Sequence, residues 1–259
     1  MRIASFNING VKARLPVLLD WLATQSPDIA CLQEIKSLDE ALPRREIEDL
    51  GYHVETHGQK GFNGVAILSR VPLRDVSRGL PGDAEDTQAR WIEATVEGGR
   101  DLRICCLYLP NGNPAPGPKY DYKIAWMERL RDRAAALLQG EIPAVLCGDY
   151  NVIPEDRDAA RPEAWRDDAL ALPETRAAFR RLAHLGLTEA FRIRHRAGGH
   201  YSYWDYQAGA WERNDGIRID HHLLTPQAAD RLAEAWIEPD RRGEEKPSDH
   251  VPVWIELET

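Results

Sequence analysis

The sequence predicts an α/β fold in which two mixed β-sheets carry helices on their outer sides. Three observations support this. A strand–helix–strand pattern occurs twice, turn-separated strands lie between and after its two occurrences, and no low-complexity linker interrupts the 259 residues. A chain of this length can bury one large core, so a single domain over 1–259 is expected.

The first unit begins with an alternating strand at residues 3–8. Residues 12–23 follow as a helix, because Leu15, Leu18, Leu19 and Leu22 fall on one face at helical spacing. Residues 28–33 are a short apolar strand. The second unit repeats the order: a strand at 102–109, a helix at 120–138 with Ile124, Met127, Leu130, Ala134 and Leu137 in period, and a strand at 142–147. Between the units, strands are expected at 52–56, 64–69 and 90–96, separated by Gly, Pro and Asp turns. The polar stretch PEDRDAARPEAWRDD reads as a loop, 173–185 as a helix, and 201–206, 218–224, 235–237 and 250–256 as strands. The proline-rich run at 113–118 reads as a stiff connector. The competing reading has it project Lys119 and Lys123 towards a polyanion.

Composition narrows the setting. Hydrophobic residues make up 43% and charged ones 29%, as in ordinary globular proteins. No apolar run approaches the roughly 18 residues of a membrane span, and the N-terminus reads straight into a strand without a signal-peptide core, so a cytoplasmic, non-membrane protein is expected. Cys31, Cys105, Cys106 and Cys147 all sit in apolar runs without metal-ligand spacing, which predicts buried free thiols, with Cys105 and Cys106 on opposite strand faces. The net charge of −9 argues mildly against a nucleic-acid partner. Affinity for phosphates depends on local patches, however, and a carboxylate-lined site lowers the total by itself.

The chemistry is concentrated at strand ends: Asn7 and Asn9, Glu34 and Lys36, Tyr108 and Asn111, Asp149 and Asn151, Asp220, and Asp249 with His250. Ligand sites in α/β folds favour the carboxyl ends of strands. One such acid is usually a turn former; Glu34, Asp149, Asp220 and Asp249 together with a histidine are hard to explain as turns. Hard oxygen donors suit Mg²⁺ or Mn²⁺ and poorly suit zinc. Asp149 and His250 can move protons, and a metal would reduce the need for cationic side chains around a phosphate. Neither a GxxxxGK[ST] nor a GxGxxG loop is present, and GxSxG is absent too, which removes the common nucleotide-binding and serine-hydrolase readings.

At these residues the chain resembles the exonuclease III branch of the endonuclease/exonuclease/phosphatase superfamily. The matching blocks are SFNINGVKAR at 5–14, LQEIK at 32–36, GQKGFNGVAILSR at 58–70, YLPNG at 108–112, GDYNVIP at 148–154, YSYWDY at 201–206, GIRIDHHLL at 216–224 and KPSDHVPV at 246–253. They keep family order and span nearly the whole chain.

The resemblance implies a four-layered α/β sandwich and a Mg²⁺- or Mn²⁺-dependent DNA-repair phosphodiesterase. Such an enzyme cuts the backbone of double-stranded DNA 5′ to abasic sites and trims 3′ ends, and a monomer is expected. Carried over by position, Glu34 is the principal metal ligand, with Asn7 and Asp249 beside it and Asp149 and Asn151 as further candidates. Asp149 serves as base or acid at the attacking water, Asn151 holds the phosphate, Tyr108 sits against the phosphate or leaving group, and Asp220 orients His250 on a phosphate oxygen. Asn9, Lys36, Asn111, Tyr203, Trp204, Ile217 and Ile219 are the implied DNA contacts. Tyr203 with Ile217 and Ile219 either lines a pocket for a base-less sugar or packs the core. That branch usually carries tryptophan at the Tyr203 position, which bears on the balance between endonuclease and exonuclease. His184, His195, His221 and His222 are read as structural.

Two other readings compete. The first is a 3′–5′ exonuclease with little abasic activity, or a phosphatase of the same fold acting on inositol or lipid phosphates. The spacing of YSYWDY and GIRID and the lack of an amphipathic membrane-binding segment disfavour the phosphatase. The second is a non-catalytic scaffold, disfavoured because every expected catalytic position is intact.

Overall fold

The structure, a computed structural model, describes residues 1–97 and 101–258. Both strand–helix–strand units form. β1 (Arg2–Asn7) and β2 (Ile29–Gln33) pair in parallel, with Asn7 opposite Gln33, and α1 (Leu15–Gln25) connects them. After the short α2 (Arg44–Glu48) come β3 (His53–His57), β4 (Val65–Ser69), β5 (Leu73–Arg78) and β6 (Trp91–Val96). β7 (Leu102–Tyr108), α3 (Pro118–Gln139) and β8 (Ala144–Asp149) make the second unit, again parallel, with Tyr108 opposite Asp149. Then follow α4 (Pro173–Ala183), β9 (Thr188–Glu189), α5 (Ala190–Arg194), β10 (Asp220–Leu224), α6 (Pro226–Ala229), β11 (Leu232–Ile237) and β12 (Val253–Leu257).

The strands form two mixed six-stranded sheets, in the orders β11-β12-β1-β2-β4-β3 and β5-β6-β7-β8-β10-β9. Ile3, Ile29, Cys31 and Ile67 of the first sheet pack against Ile92, Ile104, Cys106, Val145 and Cys147 of the second. The outer face of the first sheet is covered by Leu18, Trp21 and Leu22 of α1, and that of the second by Trp126, Leu130 and Leu137 of α3 with Phe179 of α4. The result is helix, sheet, sheet, helix, the four layers expected. Cys105 faces α3 while Cys106 lies between the sheets, and all four cysteines are free and buried.

Proline sets where the helices begin. α1 starts at Leu15, three residues later than its periodicity suggests, because Pro16 fits only the first turn, where its missing N–H costs nothing. α3 likewise opens on Pro118. Each fully buried large apolar side chain on these helices stabilises the layer by about 1.5–3 kcal/mol.

Strand direction explains why distant blocks meet. β1 and β2 end at one rim, as do β7 and β8. β10 runs antiparallel to β8, so its first residue, Asp220, lies opposite Asp149. β12 runs antiparallel to β1, so the segment leading into it, with Asp249 and His250, arrives beside the end of β1.

Several expectations need correction. Residues 201–206 form no strand, only single bridges from Tyr203 to Ile217 and to His250. The strand expected from 218 begins at Asp220. β5 and the five-residue α2 and α5 went unpredicted because they are short and charged. β5 is an edge strand carrying Arg74, Asp75 and Arg78, a composition that blocks edge-to-edge pairing. The PEDRDAARPEAWRDD loop contains short 3-10 turns at Asp156–Asp158 and Pro162–Trp165. Among the described residues no helix is long and apolar enough to cross a membrane.

Candidate active site

A line of polar side chains, joined by hydrogen bonds and by one ion pair, runs across the rim where the two sheets meet. Asp220 Oδ2 lies 2.9 Å from His250 Nδ1, and His250 Nε2 is 3.6 Å from Asp149 Oδ2. The amide of Asn7 donates one hydrogen to Asp149 Oδ2 and the other to Glu34 Oε1, both at 3.0 Å. Lys36 Nζ approaches the far oxygen of Glu34 at 2.9 Å. Asn7, Asp149, Asp220 and His250 are all buried, while Glu34 keeps partial exposure to the cleft.

The neighbours hold this line in place. Ser202 Oγ donates to Asp220 Oδ2 at 2.6 Å and accepts the Asp220 N–H at 3.2 Å. Ser248 Oγ donates to the Asn7 carbonyl at 2.7 Å, which ties the loop before β12 to the end of β1. Asn9 donates to Asp249 Oδ1 at 2.9 Å, and its N–H is accepted by Asn7 Oδ1 at 3.0 Å. Glu34, Lys36, Asn9 and Asn151 all adopt positive φ, between 47° and 50°. Left-handed backbone costs a non-glycine residue roughly 1–2 kcal/mol, and such outliers cluster at functional sites.

Charge is crowded here. Burial away from water pushes the Asp149 carboxyl up to about 7, with Asp220 and Glu34 adding in the same direction and His250 opposing them. Burial alone would lower the His250 imidazole; Asp220 and Asp149 override it and hold the ring charged, with its pKa raised to about 10. For Glu34, burial acts upward, but hydrogen bonds from Asn7 and Lys36 win and lower it. Burial, then Glu34 and Asp149, raise the Tyr108 phenol well above its usual range, so it is a neutral donor. The Arg90 guanidinium lies 4.8 Å from the centre of the Tyr108 ring.

Asp149, Asp220 and His250 offer ligand atoms within 4.8 Å of one another. Their bonding reads as a proton-handling triad instead of a metal cage, because Asp220 already holds the imidazole Nδ1. The hard donor set that reaches the cleft is on the other side, where Glu34, Asp149 and Asp249 line a space of about 360 Å³.

Tyr108, Asn111, Asn151, Tyr203 and Ile219 also line that cleft. Asn151 Nδ2 donates to the Leu109 carbonyl at 2.9 Å, and its Oδ1 accepts from Asn111 at 3.1 Å, so the two asparagines brace each other. The Tyr203 ring packs edge-on against His250, with centres 5.0 Å apart. Ile217 is buried behind Tyr203 and supports this wall without lining the cleft.

Trp204 is a correction. It is buried against Tyr201, Ala210 and Val251, and its indole N–H is taken by Asn214 at 3.1 Å, so it packs in the core and does not line the cleft. Lys123 is another. Far from projecting outward, it is fully buried and donates to the carbonyls of Asn111 at 2.9 Å and Asn151 at 2.6 Å. His221 has the partner that its sequence context did not reveal, within 3.5 Å of Glu189 and 3.0 Å of Arg218. Trp165 was missed: it lines the cleft with Tyr203, and its only signal was an isolated aromatic in a polar stretch.

The sequence pattern of the Endonuclease/Exonuclease/phosphatase family matches residues 4–250. The chain belongs to this family. It is 37% identical to the exodeoxyribonuclease III of Haemophilus influenzae, over 99% of this chain and 100% of that one. The fold superposes on an AP endonuclease from Archaeoglobus fulgidus with a TM-score of 0.95, at 35% identity over all of both chains. It superposes equally on a Neisseria 3′ phosphatase bound to a product DNA hairpin, with a TM-score of 0.96 at 36% identity over all of both chains. The family's named members among these relatives are nucleases and a phosphatase, and the chain is a hydrolase of the nuclease type.

Proposed function

We propose that this chain is a monomeric, cytoplasmic DNA-repair phosphodiesterase that cuts duplex DNA 5′ to abasic sites and removes nucleotides or blocking groups from 3′ ends. The observation that carries the reading is the continuous line Asp220–His250–Asp149–Asn7–Glu34 across the inter-sheet rim. A charged imidazole, a buried carboxyl of raised pKa and a group of oxygen donors able to hold a cation stand side by side, which supports phosphodiester hydrolysis.

Glu34, with Asp249 and Asn7 beside it, would hold Mg²⁺ or Mn²⁺, which when bound neutralises phosphate charge and stabilises the departing oxygen. The donors fit: they are hard oxygens, and the surplus of carboxylates calls for a cation. Asp149 orients the attacking water and exchanges its proton. His250, kept protonated by Asp220, donates through Nε2 to a phosphate oxygen. Tyr108 donates its phenol hydrogen towards the phosphate or leaving group, and Asn151 steadies the phosphate with Asn111. Asn9 and Lys36 contact the DNA backbone at the cleft edge.

Tyr203, Ile219 and Trp165 form an apolar wall that accepts a flipped deoxyribose and offers no partners to a base. Extruding a nucleotide that has no base also avoids most of the unstacking cost. The test is a panel of duplexes carrying an abasic site, a 3′-phosphate or a blunt end, assayed in Mg²⁺ and in EDTA beside a phosphoinositide. Mg²⁺-dependent cleavage of the abasic or 3′-modified duplex is expected. Activity confined to the phosphoinositide, or full activity in EDTA, sinks the reading.

A further inference from the structure

A second cavity, of about 430 Å³, is lined by residues adjacent in the chain to those that wall the catalytic cleft. Trp165 and Leu170 line the cleft, while their chain neighbours Arg166 and Ala171 line this cavity. Its charged residues are Asp156, Glu163, Arg166, Arg176 and Arg180. We infer that this cavity is a phosphate-binding subsite for the backbone of duplex DNA, in which Arg166 and Arg180 supply the free guanidinium groups. The inference rests on the nuclease reading above and adds a contact beyond the reacting phosphate.

Arg176 is already committed: it donates to Asp156 Oδ1 at 2.7 Å and to the Ile153 carbonyl at 2.9 Å, which fixes the cavity to the segment that follows Asp149. Arg180 stands four residues further along α4, on the same helical face. Asp156 already offsets the Arg176 charge, which leaves the Arg180 guanidinium as the cation on this face without a counter-ion. Among the described residues, the guanidinium groups of Arg166 and Arg180 have no hydrogen-bond or ion-pair partner, although the chain holds 42 acidic residues against 33 basic ones. Many other exposed arginines among the described residues are paired, as Arg74, Arg131, Arg161 and Arg181 are, although Arg196 is not. Two unpaired arginines facing one cavity in an acid-rich chain therefore mark a place for an external anion.

The eleven-residue α4 adds to this. Its first turn opens on Pro173, which lines the cavity, and no side chain caps it, so the positive end of the helix dipole also faces the anion. Planar guanidinium groups match the paired oxygens of a phosphodiester. The same chemistry could come from free phosphate, and the test separates the two sources.

The experiment measures the Kd of an abasic duplex in Ca²⁺ by anisotropy, over roughly 50–200 mM salt, for the wild type and for the Arg166→Gln/Arg180→Gln double variant. Thermal melts check that each variant folds. The control is Arg74→Gln: Arg74 lies on β5 where the strand pairs with the far end of β6, away from the catalytic rim. The double variant should bind about tenfold more weakly at low salt, and its slope of log Kd against log salt should fall by about 1–2. The control should keep the wild-type slope. A folded double variant with the wild-type Kd and slope overturns the subsite, as does loss of stabilisation by inorganic phosphate without any change in DNA binding. A wild type that shows the arginine-dependent slope yet cuts no duplex of the panel would leave the subsite standing and remove the nuclease reading. Failure to bind any duplex overturns both.

Discussion

Asn7 shows how much depends on single side chains here. Its amide gives one hydrogen to Glu34 and one to Asp149, keeping two carboxylates apart without adding charge. Asn7→Asp would replace two donors by a third acid, so a loss in turnover of at least roughly 10²-fold is expected, the scale of removing a charge-stabilising element. Steady-state rates on the abasic duplex check this, and wild-type turnover would remove Asn7 from the machinery. Asp220 and His250 should behave as a unit, since the carboxylate sets the tautomer and charge of the ring. Asp220→Asn, His250→Asn and the double variant should therefore lose similar amounts of kcat; losses that multiply would mean that the two act separately. Lys123→Met keeps the length of the buried side chain but removes the donor that joins the Asn111 and Asn151 carbonyls. Its effect should fall on kcat for DNA more than on thermal stability, and be partly rescued in Lys123→Arg. A drop in Tm without a kcat effect would make the lysine merely structural.

At the scale of elements, β10 joins function to stability. It begins at Asp220 and continues through His221, which pairs with Arg218 and Glu189, and then His222, which is buried with no partner for its Nε2. Burial pushes the His222 imidazole down to about 4, below its ordinary value near 6.5. The unfolded chain thus binds a proton that the folded chain refuses. The stability from neutral His222 is complete above about pH 6.5 and is lost as pH falls towards 4, by about 1.4 kcal/mol per unit. Tm measured against pH should fall over that window, and His222→Leu should flatten the slope. An unchanged slope would mean that other groups carry it. Glu189 and Asp158, both held below the usual carboxylate range by Arg218 despite burial, add a further loss only at lower pH.

Elements also differ in how well the sequence announced them. The two strand–helix–strand units were plain because their apolar periods are long and local. β5, α2 and α5 were not, because six residues or fewer with charges on them carry no usable period. YSYWDY resembles a strand by composition. Its backbone nevertheless bonds residue by residue to Ile217 and Asp249, and that partnership is set by tertiary position.

For the molecule as a whole, the fold class and the meeting of the strand-end residues were legible, since strand direction alone carries those residues to one rim. Orientation was not. Trp204 sits next to Tyr203 in sequence, yet one enters a core and the other lines the cleft. Lys123 reads as a surface cation until the loops that it fastens are seen. At this scale the metal requirement is the governing prediction: Mg²⁺ or Mn²⁺ should restore cleavage to chelated protein, and Glu34→Gln should need more metal and turn over at least about 10²-fold more slowly. Undiminished cleavage after chelation would count against every role assigned around Glu34.

The pairing of β1 with β12 has a consequence for synthesis. Asn7 is made 241 residues before Ser248, yet Ser248 must bond the Asn7 carbonyl before the rim is complete. A partly made chain can assemble the first strand–helix–strand unit, but it cannot contain the imidazole that faces Asp149. The nascent polypeptide should therefore be inert while it lies among nucleic acids, and its ability to cut should arrive in one step with the closing strand. Chains arrested before residue 248 should leave a ribosome-tethered reporter duplex whole, whereas release of the finished chain should start cleavage without a gradual rise.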